Sequence, residues 1–143
     1  MNAKQPIVVE ETYNVRADEV WNALTEQPKM IQWYFDNIPE FEAVVGFKTQ
    51  FNVESNGRDF LHLWEVTDAI PNKIIGYRWE YANYAGKGHV NFELSEKRNR
   101  TNLKLTASGI DSFPQHIAEF KRESCEDGWK YFIKLRLKEY LEP

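Results

Sequence analysis

Hydrophobic positions recur along this chain with two periods, and the places where the period changes mark its elements. From Ile7 to Val15 the pattern alternates: Ile7, Val9, Tyr13 and Val15 point one way, and Val8, Glu10, Thr12 and Asn14 the other. That predicts a strand with one buried face, and Glu11 falls in the buried phase. The stretch RADEVWNALTEQPKMIQWYF then changes to helical spacing, with Val20, Trp21 and Leu24 followed by Met30, Ile31, Trp33 and Tyr34. It predicts two short helices, the first capped by Asp18 and the second starting at Pro28. From Asn37 to Ser108 the period is two again. VVGFKTQFNVE places Phe47, Thr49, Phe51 and Val53 on one side and ends at the turn signal Ser55-Asn56-Gly57. DFLHLWEVTDAI groups Phe60, His62, Trp64 and Val66, and IIGYRWEY groups Ile75, Tyr77, Trp79 and Tyr81. HVNFEL and TNLKLTA add Val90, Phe92, Leu94, Leu103, Leu105 and Ala107. Short turns between these strands require antiparallel neighbours, since parallel pairing needs long crossovers.

The last stretch, Ile117 to Leu141, contains no proline and one glycine, Gly128. It predicts a helix about 37 Å long. Its apolar side carries Ile117, Phe120, Ser124, Gly128, Tyr131, Phe132 and Leu135, widened by Trp129, Ile133 and Tyr140. So broad a stripe needs an equally long surface to lie on. A sheet of about six to seven antiparallel strands curls, and its concave face is that surface. The fold class expected is α+β: a curled antiparallel sheet gripping a long C-terminal helix, with two short helices after the first strand, in a single domain over residues 1–143.

Composition narrows the function classes. A hydrophobic fraction of 42% argues against disorder, and a net charge of −4 without a sustained basic cluster argues against nucleic acid or an anionic membrane as partner. No run approaches the roughly 18 apolar residues of a membrane span. Cys125 is the only cysteine, which excludes an internal disulfide and fits a reducing, cytoplasmic setting. The three histidines sit on separate predicted elements, a poor arrangement for a metal site, and nothing in the pattern implies a cofactor. No G-x-S-x-G occurs, and the carboxylates flanking Cys125 oppose a thiolate. The aromatic content, 15%, is high enough to read as a ring-rich core or as the wall of an apolar cavity.

Several motifs, in order, resemble one family: Val20-Trp21-Asn22-Ala23-Leu24-Thr25, Gln32-Trp33-Tyr34, Val45-Gly46, Trp64-Glu65-Val66 running to Pro71, Tyr77-Arg78-Trp79, and Gly128-Trp129. The order is similar to that of the superfamily of START lipid-transfer domains and the major birch-pollen allergen, whose fold is called a helix grip. Within it the likeness is to relatives of the activator of the heat-shock-protein-ninety ATPase. Two positions depart from that pattern: Val45 stands where a first glycine is common, and the segment after Gly128-Trp129 is about one residue longer than usual. The resemblance implies the fold, and members of the family range from co-chaperone domains to polyketide-associated proteins, so it implies no one activity.

Three readings follow. The leading one is a module that binds a hydrophobic or aromatic small molecule between sheet and helix. Its expected lining is Trp33, Thr49, Phe51, His62, Trp64, Tyr77, Trp79, Phe92, Trp129 and Phe132, with Thr49, His62 and Tyr77 orienting the ligand. The second is a protein-interaction domain with a chaperone partner, which the resemblance suggests. The third is a cyclase- or hydrolase-like enzyme using His62 and Glu11, which requires the two within hydrogen-bond reach.

Overall fold

The computed structural model describes residues 5–143, so residues 1–4 of the expected unit lie outside the described residues. Six strands form one antiparallel sheet: β1 (Ile7–Tyr13), β2 (Lys48–Ser55), β3 (Arg58–Ile70), β4 (Ile74–Tyr81), β5 (Gly88–Lys97) and β6 (Arg100–Ser108). Their spatial order is β1-β6-β5-β4-β3-β2, so every neighbour except the β1–β6 pair is joined by a hairpin. The two short helices, α1 (Ala17–Thr25) and α2 (Gln27–Trp33), follow β1. Register obeys the alternation read from the sequence: Phe51, His62, Trp64, Tyr77, Trp79, Val90, Phe92, Leu103 and Leu105 are all buried on the inner face. Asn56 and Gly57, at φ 53° and 79°, make the left-handed turn that the β2–β3 hairpin needs.

Two boundaries moved. Strand β2 begins at Lys48 rather than Val44, because Gly46 bends the chain at φ 95°, leaving Val44 and Val45 exposed. Asp18 lies in the first turn of α1 and pairs with Arg16, which occupies the cap position; the Ala17 N–H is satisfied instead by Glu96.

The C-terminal helix occupies residues 122–141, not 117–141: α3 (Arg122–Lys130) and α4 (Leu137–Leu141) flank a π-helical segment, Tyr131–Arg136. Ile117 and Phe120 are buried, but in an irregular stretch containing a 3₁₀ turn, Ala118–Phe120. The π segment begins just after Gly128-Trp129. There the Leu137 N–H reaches the Phe132 carbonyl, five residues back. The Ile133 carbonyl it passes over accepts the Tyr13 hydroxyl at 2.6 Å. The widened turn also resets the helix face. Trp129, Ile133 and Leu137 point into the core, whereas Tyr131 and Leu135, expected inward, are 46% and 47% exposed. Along its outer edge, Lys134 and Lys138 donate to the Glu10 and Thr12 carbonyls of β1, and Arg136 donates to the Gln32 carbonyl of α2.

Candidate functional site

The inner face holds two hydrophobic clusters rather than one. The larger draws on all six strands beneath α1, α2 and the helix, and includes Trp33, Tyr34, Trp64, Tyr77 and Phe92. The smaller, Phe60, Phe113, Ile117 and Phe120, sits under the irregular stretch that leads into α3. A cavity of about 200 Å³ opens between them, bounded by both. Trp79, Trp129, Phe132 and Val90 form one wall, and Phe113 and Phe120 the other.

Of the ten expected lining residues, the structure places four at this cavity: His62, Trp79, Trp129 and Phe132. Trp33, Phe51, Trp64, Tyr77 and Phe92 are fully packed in the larger cluster. Trp33 stacks on Tyr34 at 4.4 Å and donates its indole N–H to the Ala23 carbonyl. The Tyr77 hydroxyl meets that of Tyr34 at 2.8 Å and has no route to the cavity lining. Thr49 borders a polar depression with Lys48, Gln50, Glu65 and Arg78 instead. The sequence reading missed Phe35, Tyr81, Phe113, Phe120, Cys125 and Gly128 as lining residues. Tyr81 carried a usable signal, since it shares the inward phase of Tyr77 and Trp79; Phe113 and Phe120 lie in the irregular stretch before α3, which the sequence read as a connection and as the start of the helix.

His62 is both a core residue and a cavity residue. Its ring stacks on Phe51 at 5.0 Å and meets Phe35, Trp79 and Tyr81 edge-on at 4.8–5.2 Å. Nδ1 lies 2.9 Å from the Phe60 carbonyl. A carbonyl only accepts, so Nδ1 carries the proton of the neutral ring and Nε2 is left as an acceptor. Burial drives the imidazole pKa down to about 4, the Phe60 hydrogen bond opposing only part of this. The Tyr81 hydroxyl is pushed up by burial, and the nearby Trp79 indole N–H works against that shift. That N–H is buried without an acceptor in hydrogen-bond geometry among the described residues, so it influences Tyr81 through space rather than through a formed bond. Burial likewise raises the Cys125 thiol to about 11, which makes it a poor nucleophile.

At the cavity edge, Glu119 accepts from Ser55 at 2.9 Å and Asn56 at 2.8 Å, tying the β2–β3 hairpin to the irregular stretch. The Asn56 amide is the main reason its carboxyl stays below the ordinary range. Glu11 is elsewhere. It lies on β1, with three strands between it and His62 on β3, about 19 Å along the sheet at ~4.8 Å for each of four strand steps. Its carboxylate faces Lys134 and Lys138 at 3.9 and 4.0 Å, which is why an inward-phased acid is tolerated there. The His62–Glu11 acid–base pair required by the enzyme reading therefore does not form. Among the described residues no group of three or more His, Cys, Asp or Glu side chains is placed to hold a metal ion, and no helix is long and apolar enough to cross a membrane.

A curled sheet closed by a C-terminal helix, with an apolar cavity between them, defines a START-like helix-grip domain. The chain belongs to the family described as Activator of Hsp90 ATPase homolog 1-like protein, whose sequence pattern matches residues 14–142. Solved structures agree on the fold. A protein from Chromobacterium violaceum superposes with a TM-score of 0.81 at 18% identity, covering 97% of this chain and 98% of that one. The Aha1 dimer from Colwellia psychrerythraea gives 0.69 at 23% identity, with 96% of each chain covered. DynU16, a protein in the dynemicin biosynthetic locus, gives 0.76 at 23% identity over 96% of this chain but 47% of its own. No functionally curated protein matches the sequence.

Proposed function

We propose that this protein is a binding module for a small hydrophobic or aromatic molecule, held in the cavity between sheet and C-terminal helix. The observation that carries the reading is the cavity itself: about 200 Å³, ring-walled, in a core that is otherwise packed. The cavity is partly open to solvent, so a small molecule can enter it, and its ring-rich wall removes apolar ligand surface from water. Family membership supports the reading, since the shared fold provides a groove beneath its helix.

The alternative, an interaction domain of the heat-shock ATPase activator type, rests on family membership and on the likeness to the Aha1 dimer. Its surface support is thin. The large exposed apolar side chains, Val8, Val44, Val45, Ile70, Tyr131 and Leu135, fall on four separate segments.

Gly128 provides the test. It lines the cavity, and a Cβ built on it meets nothing within 4 Å. Gly128→Leu therefore adds a side chain where the ligand would sit, and replaces a weak helix former with a good one. A ligand at ten times its Kd stabilises the wild type by about 1.4 kcal/mol, or roughly 3–5 °C in Tm. Single-ring aromatics should produce that shift in the wild type and lose it in Gly128→Leu, with the variant's own Tm unchanged or raised. Equal shifts in both proteins, or none in either, would refute the proposal.

A further inference from the structure

The cavity wall is mostly apolar, and besides His89, Ser108, Glu119 and Cys125 its polar groups sit on three neighbouring rings. His62 Nε2, the Tyr81 hydroxyl and the Trp79 indole N–H all belong to lining residues; the indole N–H is buried without an acceptor among the described residues, while the other two make no hydrogen bond within the described residues and are not sealed from the cavity. The first can only accept, the third can only donate, and the hydroxyl does either. Buried polar groups normally pair, so the indole N–H calls for an acceptor, and its ring neighbours His62 and Tyr81, with centroids 4.8–6.4 Å apart, offer the same occupant an acceptor and a hydroxyl. The His62 ring cannot turn to serve another partner, since Nδ1 is fixed to Phe60 and four aromatic rings hold its faces and edges.

Charge and size restrict what completes them. The lining contains no Lys or Arg, and its one carboxylate is Glu119. An anionic ligand would lose its hydration, meet no cation and approach a negative charge. A cavity of about 150 Å³ holds one benzene ring. The 200 Å³ available therefore encloses one ring with a few substituent atoms, and a fused multi-ring system or long acyl chain would leave much of its surface outside.

Resting on the binding-module reading above, we propose that the ligand is a neutral, single-ring phenol. Its hydroxyl donates to His62 Nε2 and accepts from Tyr81 or Trp79, while its ring lies against Trp129, Phe132 and Phe120. One hydroxyl, as donor and acceptor together, satisfies the acceptor and a donor of the wall at once. A methyl ether would satisfy only the donors, and a plain hydrocarbon neither. A carboxylate could accept but not donate.

The test compares 4-methylphenol, toluene and 4-methylbenzoate by isothermal titration on the wild type and His62→Phe. The substitution keeps a six-membered ring in the aromatic nest and deletes the acceptor. In the wild type 4-methylphenol should bind about five- to tenfold more tightly than toluene, with 4-methylbenzoate undetectable. In His62→Phe the preference should fall to near parity, because the hydroxyl keeps its donors on Tyr81 and Trp79 but loses the acceptor for its own proton. A chromogenic arm uses 4-nitrophenol near its own pKa: binding of the neutral form lowers the yellow phenolate absorbance of the mixture. Toluene binding as tightly as 4-methylphenol in the wild type, retention of the preference in His62→Phe, or an increase in phenolate colour would each overturn the phenol assignment while leaving the binding module intact. No binding by any of the four compounds would overturn both. The wild-type arms and the colour change decide the matter even if His62→Phe does not fold.

Discussion

Tyr77→Phe deletes one oxygen, and the structure assigns that oxygen to the core rather than to a ligand. The Tyr34 and Tyr77 hydroxyls lie 2.8 Å apart, with both residues 4% exposed or less. Burial raises both phenols, so neither titrates in the ordinary working range and the pair is two neutral hydroxyls sharing one hydrogen bond. Removing either oxygen leaves its partner buried and unpaired, at a cost of about 1–3 kcal/mol. For a domain of this size that is a fall of roughly 3–10 °C in Tm. Removing both leaves two apolar rings of nearly unchanged shape, which is close to neutral. The double variant should therefore be more stable than either single one, with a coupling of about 1–3 kcal/mol. Urea unfolding of the four proteins, followed by tryptophan fluorescence, measures the cycle. Additive losses would refute the assignment, since they would mean that each hydroxyl acts through some other partner. Ligand affinity should be the same in Tyr77→Phe and the wild type, because Tyr77 does not line the cavity.

Two further outcomes follow from the site and the helix. His62 has a folded-state pKa of about 4 against an unfolded value near 6.5, so the unfolded chain binds the extra proton between those values. Stability should thus fall as pH drops from about 6.5 to 4, by an order of 3 kcal/mol, and urea midpoints across that window should be markedly flatter for His62→Phe. Deleting Leu135, which is exposed within the π segment, should convert that segment to a regular helix while keeping Trp129, Ile133 and Leu137 inward. It should cost less in urea than deleting Glu126, which would rotate Trp129 out of the core.

Much of the fold was legible because alternation carries so much information in a half-buried sheet. A slip of one residue in β3 would turn His62, Trp64 and Val66 outward together, so their phase alone fixes the face. The helix start was not legible. Its cap residue, Lys121, makes no side-chain capping bond, so no Ser, Thr, Asp or Asn marks the boundary, and Ile117 and Phe120 happen to stand at helical spacing. The outward turn of Tyr131 and Leu135 escaped for a related reason: a 100° projection assumes that every turn is alike, and a π turn breaks the count. Glu11 was placed on the correct face, but its lysine partners come from the other end of the chain, and no local pattern shows them.

The site was only half legible, and the reason is geometric. Strand phase tells which side of a sheet a ring occupies but not how far along the groove it lies. Trp64 and Trp79 are cross-strand partners with the same phase, yet only Trp79 lines the cavity. What separates them is the second cluster. Phe60, Phe113, Ile117 and Phe120 gather around the irregular stretch before α3, and that stretch, lacking a regular period, cannot extend the interlocking of rings that fills the middle of the groove. Two clusters built on different backbone geometries meet without meshing, and the gap falls at their seam. The same seam brings polar ring atoms to the cavity wall. Tyr81 and Trp79 at the end of β4, and His62 beside them on β3, meet the rings of Phe113, Phe120 and Trp129 across the groove, which offer their polar ends no hydrogen bond. An apolar seam would close under packing pressure or remain an inert void; one edged by an acceptor and two donors favours an occupant that can hydrogen-bond.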